Sequence, residues 1–208
     1  MTKVLVINKS DLFDVEPTGD IVISNDSKLF TLTPFLVERD LCETDESLLQ
    51  IIPYITLFDP GSEQIFIYTR GKQNGDSRLT GKCSVGLGGH IELAPSDTMN
   101  FLEVIIRETA RELIEETTLT EDDFDRLVDI IGFTLKSGNF KLIYSDIDAV
   151  SRVHLGLTFV YNTNSRTLTG DEENVITEEN WQTLSEIHEL ASNGSIELEH
   201  WSKIILGL

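Results

Sequence analysis

The segment from about Asn100 to Thr117 constrains this chain more than any other. A helix advances roughly 100° per residue. On that wheel Ile106, Ala110, Leu113, Ile114 and Thr117 fall on one side, and Glu108, Glu112, Glu115 and Glu116 on the opposite side. The apolar side has to be buried, so the fold must supply a surface for it. Asn100 followed by Glu103 fits a capping box at the start of this helix.

Strand patterns lie on both sides of it. Val4 to Ile7, Ile21 to Ile23, Ile51 to Phe58 and Gln64 to Thr69 read as strands; Asp59-Pro60-Gly61 turns the last two into a hairpin. Ser84 to Leu87 reads as a short strand entering Gly88-Gly89. Beyond the helix, Val128 to Leu135, Asn139 to Tyr144 and Val153 to Tyr161 read as strands. Helices are expected near Trp181 to Ala191 and Leu198 to Leu206. This order implies an α/β fold, a mixed β-sheet sandwiched by helices. No Pro/Gly/Ser linker divides the chain, so residues 1–208 read as one domain with an N-terminal β extension over about 1–50.

Charge narrows the function. The chain has 208 residues, with 36 acidic against 16 basic side chains and a net charge of -20. Such a surface repels phosphate backbones, which disfavours nucleic-acid polymers and anionic membranes as partners. A small phosphorylated substrate remains compatible, given cations or a local basic cluster. Cys42 and Cys83 form neither a disulfide framework nor a zinc motif. The Val4 to Ile7 run is too short for a signal-peptide core or a membrane span. A cytoplasmic protein is expected, with a homodimer left open.

The acidic face is costly by itself. The pairs 108/112, 112/116 and 112/115 are like-charged neighbours, each worth about 0.2–0.5 kcal/mol of destabilisation in an isolated helix. A divalent cation reverses the sign, because Mg²⁺ takes oxygen ligands from a few carboxylates, waters and substrate phosphates. Charge alone is also compatible with a solvated acidic face. Arg111, beside the acidic arc, can pin a carboxylate. The double glycine upstream allows a backbone carbonyl to approach a metal.

Gly88-Gly89-His90-Ile91-Glu92, then Glu103, then Arg111-Glu112-Leu113-Ile114-Glu115-Glu116-Thr117-Thr118-Leu119 together resemble the box of the Nudix family, G-x5-E-x7-R-E-U-x-E-E-x-G-U with U a bulky aliphatic. Seven residues separate Glu103 from Arg111, as in that pattern, and R-E-L-I-E-E follows in register. The chain departs from it twice. Thirteen residues rather than five separate Gly89 from Glu103, so eight extra residues, 92–99, reshape the loop before the helix. Thr118 stands where the family has its late glycine. Trp181-x-x-Leu184-x-Glu186 is similar to the segment that often closes this fold, and the double-glycine loop is similar to a subgroup of predicted phosphoesterases.

The resemblance implies a Nudix-like α/β/α sandwich and metal-dependent hydrolysis of a phosphoanhydride (pyrophosphate) bond in a small nucleoside-diphosphate-linked or related substrate. Glu112 and Glu116 are the implied ligands for Mg²⁺ or Mn²⁺, with Glu115 third and the Gly88 carbonyl completing the shell. Glu115, Arg111 and Glu103 are the implied catalytic set. Arg111 orients a glutamate or forms a surface ion pair; Glu103 pairs with Arg111, activates water or serves the cap. Glu172 and Glu173 are candidates for an acidic residue from a late loop. Arg70, Lys72, Arg78 and Lys82 hold a quarter of all Lys and Arg within thirteen residues, either as a phosphate-binding loop or as a solvated hairpin. His90 joins them as a phosphate contact or as polar surface, while His154 reads as a partly buried strand residue.

Two other readings compete. Cys83 near the glycine loop suggests an isopentenyl-diphosphate-isomerase-like enzyme, though that family usually lacks the full R-E-x-x-E-E run. A nucleotide-sensing module without catalysis is the other, disfavoured because such modules often lose the glutamates retained here.

Overall fold

The computed structural model describes residues 2–71, 79–163 and 176–208, with no side-chain description for 176–178. In chain order the elements are β1 (Lys3–Asn8), α1 (Lys9–Leu12), β2 (Asp20–Ser24), β3 (Phe35–Glu38), α2 (Arg39–Cys42), β4 (Leu48–Asp59), β5 (Gln64–Arg70) and β6 (Cys83–Ser84). They continue as α3 (Phe101–Glu116), α4 (Phe124–Lys136), β7 (Lys141–Ser145), β8 (His154–Asn162), β9 (Ile176–Thr183), α5 (Leu184–Ser192) and α6 (His200–Leu206). The fold is mixed α/β with a large sheet, as the sequence pattern implies. Chain contacts divide it into two compact units, one of residues 1–54, 88–112 and 121–159, the other of residues 55–87, 113–120 and 160–208. Among the described residues, no helix is long and apolar enough to cross a membrane.

The first unit is built on the strand order β2-β7-β8-β4-β1-β3. β1 pairs antiparallel with β3 and with the start of β4, and β7 antiparallel with β2 and β8. β1 and β4 are rich in aliphatic residues and almost wholly buried, the signature of strands covered on both faces. On α3, Val104, Ile105, Ile106 and Ala110 are buried. Asn100 and Glu103 close the capping box reciprocally: Glu103 N–H donates to Asn100 Oδ1 at 3.0 Å and Asn100 N–H to Glu103 Oε2 at 2.9 Å.

The second unit is organised around β5, which pairs antiparallel with the end of β4, with β6 and with β9. A parallel bridge joins Cys83 to Leu198. Ile67, Cys83, Val85, Ile187, Leu198 and Leu206 form its apolar cluster.

Three expectations are corrected. Val128 to Leu135 belongs to helix α4, not to a strand. Its β-branched run mimics a strand, but the buried positions Leu127, Ile131, Gly132 and Leu135 follow a helical period, and Phe133 points outward at 72% exposure. Trp181 lies in β9, where it packs against Phe66, rather than opening a helix. The helix starts after Thr183, whose side chain and that of Glu186 form a second capping box. The Ser84 to Leu87 strand shortens to Cys83–Ser84, followed by a bridge between Leu87 and Ile55.

Candidate active site

The glycine pair before α3 fits closely against its surroundings. Gly88 has φ +139, and a Cβ there would lie 2.0 Å from the Pro53 carbonyl oxygen. A Cβ on Gly89 would lie 2.5 Å from Glu112 Oε2. Only glycine at 88 allows the loop backbone this close to β4, and glycine at 89 lets the Glu112 carboxylate lie against the loop undisturbed. The loop is then fixed from both sides. Leu5 N–H donates to the Ile91 carbonyl at 2.7 Å, and Arg111 Nη2 donates to the His90 carbonyl at 3.2 Å.

Arg111 also engages two carboxylates, Glu108 at 3.3 Å and its neighbour Glu112 in a very short contact. Glu108 accepts in addition from the Glu92 backbone N–H at 3.2 Å. Both glutamates are only 8% exposed. The acidic arc of the wheel is therefore not a uniformly solvated face at this end. Carboxylates are rarely buried without strong partners, so their burial marks this part of α3 as a built arrangement. The sequence reading placed Glu108 on the arc but gave it no role.

Glu103 stands on another face. Nine positions before Glu112, it is half a revolution away around α3, and its carboxylate serves the cap. It borders a cavity of about 260 Å³ between α3 and α4, also lined by Arg107, Asp129, Phe133 and Lys136. Helical geometry puts this cavity on the far side of α3 from Glu112.

α3 continues unbroken through Glu116, where Glu115 is exposed and Glu116 half-buried. In this second unit, Arg70 Nε donates to Glu199 Oε2 at 2.8 Å, and its guanidinium lies 5.6 Å from the centre of the Tyr68 ring. Ser84 Oγ donates to the other Glu199 oxygen at 2.6 Å. The Tyr68 hydroxyl donates to the Gly86 carbonyl at 2.8 Å, and burial pushes its phenol up despite the opposing charge of Arg70. Lys82 pairs with Glu197 at 3.6 Å. Arg70 is thus held by a buried carboxylate, whereas Lys82 sits in a looser, partly exposed pair. Lys72, Arg78, Glu172 and Glu173 lie outside the described residues.

His90 turns its ring to His154, Nε2 to Nε2 at 3.4 Å. Burial pushes the His90 imidazole down to about 2, helped by the charge of Arg39 and by His154. His154 Nδ1 lies 2.7 Å from the Val150 carbonyl oxygen. That ring is 6% exposed and hydrogen-bonded, as expected for a partly buried strand histidine.

No protein-family model matches the chain. Protein YmaB of Bacillus subtilis (strain 168) is 27% identical over 212 residues, covering 99% of this chain and 96% of that protein. The crystal structure of Tm1382, described as a candidate Nudix hydrolase, superposes with a TM-score of 0.69 at 25% identity, covering 99% of this chain and 96% of that one. A Nudix hydrolase from Alicyclobacillus acidocaldarius shares the fold at a TM-score of 0.51 and 12% identity, over 76% of this chain and 90% of that chain. DR0079 from Deinococcus radiodurans does so at 0.50 and 13% identity, over 89% and 97% of the two chains. Full-length superposition on Tm1382, together with an R-E-L-I-E-E run on a helix whose Glu112 carboxylate meets a double-glycine loop, makes the chain a structural relative of the Nudix hydrolases that carries that family's characteristic run.

Proposed function

We propose that the chain is a metal-dependent pyrophosphohydrolase that cleaves a phosphoanhydride bond in a small nucleoside-diphosphate-linked or related substrate. The observation that carries this reading is the burial of Glu108 and Glu112 around one guanidinium, directly against the backbone of Gly89. Among the described residues these two buried carboxylates share the Arg111 guanidinium in a poorly solvated place. That donor set suits a hard divalent ion. Glu112 and Glu116 would hold Mg²⁺ or Mn²⁺, with Glu115 acting through water and the Gly88 carbonyl as a further oxygen. Bound there, the ion neutralises phosphate charge and lowers the pKa of a water.

The remaining work falls to the protein. Arg111 fixes the Glu112 carboxylate and ties it to the glycine loop through the His90 carbonyl, which keeps the ligand geometry rigid. Glu115, exposed on the last turn of α3, accepts the proton of the attacking water. Lys82, with Lys72 and Arg78, meets the substrate phosphates; Arg70 supports this loop through Glu199. Glu103 holds the helix start. The isomerase-like alternative loses its support, because Cys83 is packed in an apolar cluster and cannot serve as an accessible acid or nucleophile.

The test is phosphate or nucleoside-monophosphate release from a panel of nucleoside diphosphate derivatives and dinucleoside polyphosphates with Mg²⁺ or Mn²⁺, wild type beside Glu116→Gln. Turnover that requires metal and collapses in the variant supports the proposal. Nucleotide binding without turnover, retained in the variant, replaces it with a sensing module.

A further inference from the structure

We infer that Glu43, His90 and His154 form a second metal site, for a borderline transition ion of the Zn²⁺ class. The three residues come from separate parts of the first unit: the end of α2, the loop after Gly89 and the first residue of β8. One ligand atom from each lies within 4.8 Å of the others. All three are buried or half-buried.

The geometry matches what such an ion requires. Two nitrogens each about 2.0–2.1 Å from one tetrahedral zinc stand about 3.3–3.4 Å apart. His90 Nε2 and His154 Nε2 stand 3.4 Å apart. The His154 tautomer is also set. A carbonyl only accepts, so the 2.7 Å contact with Val150 places a proton on Nδ1 and leaves Nε2, which faces His90, as the nitrogen available to a metal. A ligating histidine typically anchors its other nitrogen in this way. His90 is held by the two backbone contacts of its loop, through its own carbonyl to Arg111 and through that of Ile91 to Leu5.

The donor chemistry selects the ion. Imidazole nitrogens suit zinc-like ions, whereas Mg²⁺ and Ca²⁺ prefer an all-oxygen shell. Two histidines and one glutamate leave a fourth position for water or a substrate oxygen. An opposing charge is Arg39, whose Nε lies 3.8 Å from Glu43 Oε1. A carboxylate has two oxygens, so Glu43 can serve both cations.

The site involves neither the glutamates of the proposed hydrolase nor its activity, and its test reads binding directly. Full-length, chelator-treated protein is titrated with Co²⁺ alone while the visible absorption of four-coordinate cobalt is recorded. One equivalent is expected to develop that absorption, Zn²⁺ to remove it by displacement, and Mg²⁺ to leave it unchanged. Glu43→Gln and His90→Gln should each weaken Co²⁺ binding by at least about tenfold, since loss of outer-shell support alone costs a metal site 10–100-fold. Glu43 is half-buried, so its variant tests the site without opening the core around His154. Glu116→Gln should bind Co²⁺ like wild type. Absence of the absorption at stoichiometric Co²⁺ overturns the inference, as does its survival in both the Glu43 and His90 variants. Its loss in Glu116→Gln places the ion on α3 and likewise overturns it.

Discussion

Adjacent glycines in the loop before α3 face different neighbours, and the same substitution should therefore fail in two ways. At Gly89 an added methyl meets the end of the Glu112 side chain, 2.5 Å from Oε2. That carboxylate can swing aside cheaply, but it then leaves its place beside Arg111. Gly89→Ala is expected to fold with nearly unchanged denaturant midpoint and to lose turnover by about 100-fold, the scale of a 1 Å misplacement at a reacting centre. At Gly88 the methyl meets the Pro53 carbonyl at 2.0 Å, on a backbone already at φ +139. Neither can yield locally, so Gly88→Ala should cost about 2–3 kcal/mol of unfolding free energy. Equal stability losses in the two variants would contradict this division. Arg70 poses a third case. Glu199 is 3% exposed, and its two oxygens accept from Arg70 and Ser84. Arg70→Ala removes the cation paired with this buried carboxylate and should cost about 3 kcal/mol by denaturant unfolding.

At the scale of elements, α4 contains a correctable weakness. Gly132 sits inside the helix, and a Cβ there would meet only Ile106 Cδ1 at 3.5 Å, an ordinary contact. Gly132→Ala should stabilise the protein by about 0.5–1 kcal/mol, read as a higher denaturant midpoint with unchanged slope. The same helix shows where sequence reasoning stops. α3 was legible because its capping box, apolar stripe and charged arc all agree on one period. α4 was not, because Val128, Ile130, Ile131 and Thr134 have strand propensity, and only tertiary burial of Leu127, Ile131 and Leu135 selects the helix. The helix expected from Trp181 begins only after Thr183, where Thr183-x-x-Glu186 is itself a capping signature readable in the sequence. The Arg111–Glu112 pairing follows from chain neighbours and could be anticipated. The meeting of Glu43, His90 and His154 could not, since they lie 47 and 64 positions apart with no periodic signal linking them.

For the whole molecule, the net charge of -20 creates two kinds of cation dependence that one experiment separates. Diffuse self-repulsion destabilises the compact state and is relieved by any salt. The Debye length contracts from about 30 Å at 0.01 M to about 8 Å at 0.15 M, so NaCl over this range should raise Tm in wild type and in Glu116→Gln alike. A specific site behaves differently. An ion that binds only the folded state at 100 times its Kd adds about 2.7 kcal/mol, or about 5–10 °C in Tm for a chain of this size. Mg²⁺ matched to NaCl in ionic strength should therefore raise the wild-type Tm further. Most of that increment should vanish in Glu116→Gln, because the substitution removes a ligand while changing the net charge by only one unit. An increment of equal size in both proteins would assign the effect to the acidic surface as a whole, and α3 would lose its claim to the ion.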